Sequence, residues 1–142
     1  MSWTGKDRLT WVLALTNKGS LLLAPGSVLT VNGSYTQPLA GTLTIEMGGT
    51  DASPTIGQLV STTGTVSLAG SLDVTSTVLP AVGSAFELLD NEGGAFIGGA
   101  FKGLTEGLTF KVKVGTKTMK FKISYAGTDA DGKKNVIITR IS

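Results

Sequence analysis

Five lysines, Lys111, Lys113, Lys117, Lys120 and Lys122, fall in one short stretch and alternate with apolar residues. Phe110, Val112 and Val114 fill the intervening positions on one side of Gly115-Thr116-Lys117, and Met119, Phe121, Ile123 and Tyr125 on the other. Successive side chains of a strand point to opposite faces. A hairpin here would therefore set four or five ammonium groups on one surface. Such a surface attracts polyanions, among them acidic polysaccharide, lipopolysaccharide and nucleic acid. The same lysines also suit a solvated strand face that discourages edge-to-edge pairing. No arginine or aromatic residue interleaves on that face, so nothing in it is specific for nucleic acid.

Three further groups have chemistry to offer. Asp129-Ala130-Asp131-Gly132, with Asn135 beyond it, supplies oxygen ligands and a sharp turn of the kind a Ca²⁺ loop uses. An EF-hand loop would need a further ligand and a terminal Glu, and a type I turn rich in Asp and Gly explains the same residues. Glu46, Asp51, Glu87 and Asp90 could furnish a glycosidase-like carboxylate pair, although no spacing selects one. Trp3, Trp11, Tyr35 and Tyr125 could stack on sugar rings, but no two share a strand at platform spacing, and core filling accounts for them. The chain has no His and no Cys. That removes the commonest general base near neutral pH, thiolate metal sites and disulfides. A non-enzymatic protein without cofactor is expected.

The elements that must position these residues are written in the composition. Of the 142 residues, 41% are hydrophobic and 15% charged, and Gly occurs 20 times. Charge well below the ~25% of an average domain, with positive mean hydropathy, argues against disorder. Thr, Val and Ile favour pleated, half-buried surfaces, and Gly marks the turns between them. No stretch approaches the ~20 apolar residues of a spanning helix. Leu9 to Leu15, behind Lys6 and Arg8, is too short for a signal peptide and lacks a cleavage site, so it reads as a first strand. The net charge of +2 is unevenly spread. Residues 1–99 hold three basic and seven acidic groups, and residues 100–142 hold nine basic and three acidic.

A unit of Gly, a small polar residue and an apolar residue recurs through the first half, as in Gly19-Ser20-Leu21, Gly41-Thr42-Leu43, Gly64-Thr65-Val66 and Gly70-Ser71-Leu72. Gly19, Gly41 and Gly64 lie 22 and 23 residues apart, and Gly26, Gly48 and Gly70 lie 22 and 22 apart. Three short strands per 22 residues is the arithmetic of a three-sided parallel β-helix. The expected inward ladder contains Leu21, Leu43 and Val66 one above another, with Val31, Leu72 and Val74 beside them. An antiparallel sandwich or jelly roll also suits regular short strands. Past Val74 the rhythm changes. Strands are expected over 83–89, at Phe96-Ile97, and over 108–114, 118–125 and 135–141, the first two of these last three forming a hairpin. One all-β domain results. It has an N-terminal strand or cap over 1–16, helical coils over 17–75 and an antiparallel cap over 76–142.

The order of these motifs resembles a bacterial pattern. Gly33 to Gln37, Gly41 to Glu46, Gly48-Gly49-Thr50, Gly64 to Val74, Pro80 to Phe86, Gly99 to Leu104, Ile123 to Gly127 and Val136 to Thr139 follow it. Together they are similar to the module that ends autotransporter-associated β-strand repeat regions of large bacterial surface and secreted proteins, over roughly residues 17–142. The resemblance implies a β-helical stalk, spacer or adhesive scaffold outside the cell, with its export signal elsewhere and no catalytic set. A bare coil end leaves main-chain groups unpaired, so a homo-oligomer formed by stacking or strand exchange is expected. Binding of a glycan or polyanion is the second expectation, and a carboxylate-based polysaccharide enzyme a remote third.

Overall fold

A computed structural model describes residues 2–5, 8–11, 14–93, 96–128 and 134–142. These residues are all-β, without helix. The chain begins with β1 (Ser2–Gly5), β2 (Arg8–Trp11) and β3 (Leu15–Thr16), followed by β4 (Ser20–Leu23), β5 (Val28–Val31) and β6 (Tyr35–Gln37). It continues through β7 (Thr42–Gly49), β8 (Pro54–Ile56), β9 (Gln58–Ser61) and β10 (Val66–Leu68), then β11 (Ser71–Ser76), β12 (Ala85–Asn91) and β13 (Ile97–Gly99). Three longer strands close it: β14 (Thr109–Val114), β15 (Lys117–Thr128) and β16 (Lys134–Arg140).

Three sheets share these strands. The first has the order β1-β4-β7-β11, with β8 hairpinned onto β7. The second runs β2-β5-β9-β12 and then continues through β16, β15 and β14, and the third is β3-β6-β10-β13. Every pairing among β1 to β13 is parallel except the β7–β8 hairpin. The polypeptide thus visits the first, second and third sheets in that order four times before turning antiparallel.

Parallel pairing places like residues over like. In the first sheet Leu21, Leu43 and Leu72 are in register, as are Leu23, Ile45 and Val74. In the second, Leu29, Leu59 and Leu89 align, and in the third Leu15, Tyr35, Val66 and Ile97. Burial alternates along these strands, and Leu21, Leu23, Leu29, Val31, Leu43, Ile45, Leu59 and Val66 are all within 1% of full burial. A strand with one face inward needs this period of two.

The expected ladder is therefore only partly right. Leu43 does stand over Leu21, but Val66 stands over Tyr35 in another sheet, and Leu72 takes the third place. Twenty-two residues separate Leu21 from Leu43, whereas 29 separate Leu43 from Leu72. The hairpin of β7 and β8 fills the difference. A constant glycine spacing misses such an insertion, because it lengthens one pass without disturbing the strands on either side. Val31 is buried but lies over Ser61 in the second sheet, and Leu72 is only half-buried.

Two expected boundaries also move. Residues before 17 pair in parallel register with β4, β5 and β6, so they continue the repeat. The apolar run from Leu9 to Leu15 is not one strand, since it spans β2 and β3 in two different sheets. At the other end β12 and β13 still pair in parallel with β9 and β10, so the antiparallel segment starts at β14 and not at residue 76. Phe96 stands outside its expected strand and is exposed.

The last three strands form a curtain whose inner side is apolar. Phe110 pairs with Phe121 and Val112 with Met119, and Ile123 pairs with Ile138. The Phe110 and Phe121 rings stack at 5.9 Å between centroids, and Phe86 meets Phe121 edge-on at 6.4 Å. β14 also lies against β11, so the hairpin reaches back to the first sheet. Gly115 at φ +60° makes the tight β14–β15 turn that a side chain would strain.

Candidate interaction surfaces

The outer side of that curtain holds the lysines. In the β14–β15 register Lys111 lies directly opposite Lys120, Thr109 opposite Lys122, and Lys113 opposite Thr118. Lys122 in turn faces Thr139 of β16. Lys111, Lys113 and Lys122 are exposed and Lys120 is half-buried among them. Lys117 pairs with Val114, which puts it on the other parity at the hairpin end, exposed but apart from the four. The structure therefore brings four of the five expected lysines onto one face. Two carboxylates, one on β12 and one on the segment before β14, accept neutral donors. Glu106 takes the Tyr125 backbone N–H at 2.7 Å, and Glu87 takes Gln58 Nε2 at 2.9 Å and Asn135 Nδ2 at 2.8 Å.

The expected calcium turn divides. Asp129 and Asp131 lie outside the described residues. Asn135 is fully buried, its Oδ1 accepting the Asn91 N–H at 2.9 Å while its Nδ2 donates to Glu87. That amide braces β16 against β12. Among the described residues no group of three acidic side chains is placed to hold a metal ion.

The four carboxylates singled out in the sequence are dispersed. Glu46 is on β7, where it lines a shallow cleft with Pro25, Met47, Thr75, Ser76 and Thr77. Asp51, in the β7–β8 turn, accepts the Leu79 N–H at 2.8 Å. Glu87 and Asp90 are on β12 in a different sheet.

Both tyrosines are internal fittings. Tyr125 is half-buried. Its hydroxyl accepts the Phe101 N–H at 3.0 Å and donates to the Leu104 carbonyl, tying the loop after β13 to β15. Burial above all pushes its pKa up to about 12, and Glu106 adds to the rise. Tyr35 is fully buried in the third sheet, and desolvation raises its pKa well above the ordinary phenol value. Trp3 and Trp11 occupy positions opposite Leu21 and Val31 on strands of different sheets.

Sequence reasoning missed the buried polar ladder around Tyr35. Asn17, Tyr35 and Gln37 are all within 1% of full burial. Asn17 Nδ2 donates to the Tyr35 hydroxyl at 3.2 Å and to the Thr42 carbonyl at 3.0 Å. The Tyr35 hydroxyl donates to Gln37 Oε1 at 2.6 Å, and Gln37 Nε2 donates to the Ser71 carbonyl at 2.9 Å. The chain links four successive visits at the corner between the third and first sheets. The recurrence of an amide at Asn17 and Gln37 was the available signal.

The second surface is formed by the outer edges of β1, β2 and β3. β1, β2 and β3 each have one neighbour in their sheets, and their other edges meet no strand among the described residues. Unpaired edges of this kind are templates for further strands. At the opposite end of the second sheet the equivalent edge, on β12, is taken by β16. Among the described residues no helix is long and apolar enough to cross a membrane. Comparison with protein-family models, curated proteins and solved structures finds no match to the chain.

Proposed function

We propose that this chain is a structural, non-enzymatic module: a short three-sided parallel β-helix, capped by an antiparallel hairpin, serving as stalk, spacer or adhesive scaffold on a bacterial exterior. The observation that carries the reading is the repeated order of sheets, visited four times with apolar residues in register from one visit to the next. In a stack of this kind each layer buries its aliphatic side chains only against its neighbours, and an uncovered end needs a cap. The antiparallel curtain of β14 to β16 meets that need at one end. The resemblance to the terminal module of autotransporter-associated repeat regions supports the exterior location and the absence of a catalytic set.

Register gives the architectural test. Thr44 pairs with Asp73, whereas the glycine spacing that sets Val66 over Leu43 would place Ser67 beside Thr44. Spin labels on cysteines at Thr44 and Asp73 are expected to couple strongly at the ~4.8 Å strand spacing. Labels at Thr44 and Ser67 are expected to couple weakly. The reverse result would overturn the winding.

The open edges of β1, β2 and β3 offer seats for a further layer, and a second copy of this chain carries strands of matching length. Sedimentation is therefore expected to show self-association that grows with concentration. A compact monomer at every concentration tested would remove the assembly part of the reading and leave the architecture standing.

A further inference from the structure

We propose that the outward face of β14 and β15 is a binding surface for a linear acidic polysaccharide, a reading that stands independently of the winding of the other sheets. Lys111 and Lys120 are opposed in register with Lys113 and Lys122 diagonal to them, and like charges set directly opposite each other on a sheet repel. No ion pair to any of the four is present among the described residues, and Glu106, on the segment leading into β14, accepts the Tyr125 backbone N–H.

Edge protection explains only half of this. β14 is the terminal strand of its sheet, so Lys111 and Lys113 guard an exposed edge. β15 has β14 on one side and β16 on the other, so Lys120 and Lys122 guard none. Solvation alone would be met by Ser or Thr at those two positions, without the repulsion. An anionic polymer laid over the face neutralises all four together.

The chemistry of the face selects among polyanions. Ammonium groups two residues apart on a strand recur about every 6.8 Å, which suits a chain with a fixed charge on each repeating unit. Thr109, Thr118 and Thr139 interleave with the lysines and offer hydroxyls to a hydroxyl-rich polymer. Single-stranded nucleic acid is held through aromatic platforms on which bases stack, and this side has none. The aromatic residues Phe110 and Phe121 point the other way.

Binding of the full chain to polygalacturonate tests the proposal, with neutral dextran and poly(dT) alongside. Polygalacturonate is expected to bind and dextran not to, with affinity falling roughly tenfold to a hundredfold between about 50 and 200 mM salt. The variant K111Q/K113Q/K120Q/K122Q is expected to lose at least about tenfold, and K120Q/K122Q alone at least about threefold. The distant change Lys18→Gln should leave binding unaltered. Melting temperatures of the lysine variants are expected to equal or exceed the parent value, because repulsion is relieved, so lost binding would not reflect lost fold. The proposal fails if polygalacturonate does not bind at low salt, if K120Q/K122Q binds as the parent does, or if poly(dT) binds more tightly than polygalacturonate.

Discussion

Gly41→Ala and Gly70→Ala are expected to destabilise the chain by about 3 kcal/mol or more each, lowering the melting temperature by roughly 10 °C. Neither glycine has a positive φ, so the effect is steric and not conformational. A Cβ on Gly41 would collide with the Asn17 carbonyl oxygen and lie 2.8 Å from Gln37 Cγ. On Gly70 it would collide with the Gly41 carbonyl oxygen and lie 2.6 Å from that of Pro38. Apart from Gln37 Cγ these obstacles are backbone, which cannot rotate away as a side-chain tip can. Gly98 is the control. It too lacks a positive φ, and a Cβ there meets nothing closer than the Val66 carbonyl oxygen at 3.5 Å. Gly98→Ala should stay within about 0.5 kcal/mol of the parent, helped by a less flexible unfolded chain. Thermal melts of the three variants decide the matter. Equal stability at positions 41 and 98 would mean that successive visits do not approach so closely at this corner.

The second large effect is expected at Gln37. Gln37→Leu leaves the fully buried Tyr35 hydroxyl without its acceptor and the partly buried Ser71 carbonyl without its side-chain donor. Each buried polar group left unpaired costs about 1–3 kcal/mol, so a loss of about 3 kcal/mol is expected in urea unfolding. Tyr35→Phe removes the other half of the pair and should cost about 2 kcal/mol. The double variant should cost clearly less than the two single losses together. With both partners apolar the Tyr35–Gln37 pair no longer contains an orphan, and residues in one network couple. Strict additivity would show that the two side chains do not share a buried hydrogen bond. The Asn17 amide, which also donates to the Thr42 carbonyl, limits how far the double variant can recover.

These two sites show where sequence reasoning stopped. Asn17, Tyr35 and Gln37 are 18 and 2 residues apart along the chain, and nothing in their types separates a buried network from a polar surface. Burial is a property of the neighbours, and the neighbours come from different visits to the sheets. Gly41 and Gly70 were legible as turn markers, but the spacing paired Gly41 with Gly64. Only the register shows that Gly70 is the residue that packs on Gly41. Gly64 serves a different turn, beside Ser34.

The sequence by itself determined the class of element and which side of each strand is apolar. Alternation in Leu43-Thr44-Ile45, Val66-Ser67-Leu68 and Phe110 to Val114 has a period that only a pleated strand can use, and glycine breaks those strands into short lengths. It also determined that Lys111, Lys113, Lys120 and Lys122 share a face, because that follows from parity within a hairpin whose turn is local. Tertiary structure alone decided which strand lies on which. Pairing in parallel sheets joins residues 18 to 31 positions apart, and a hairpin inserted between Met47 and Ile56 shifts the later partners without altering any strand's own pattern. Local periodicity measures orientation within one strand, whereas register is settled by loop length and by the fit of side chains that the chain brings together only after it has folded.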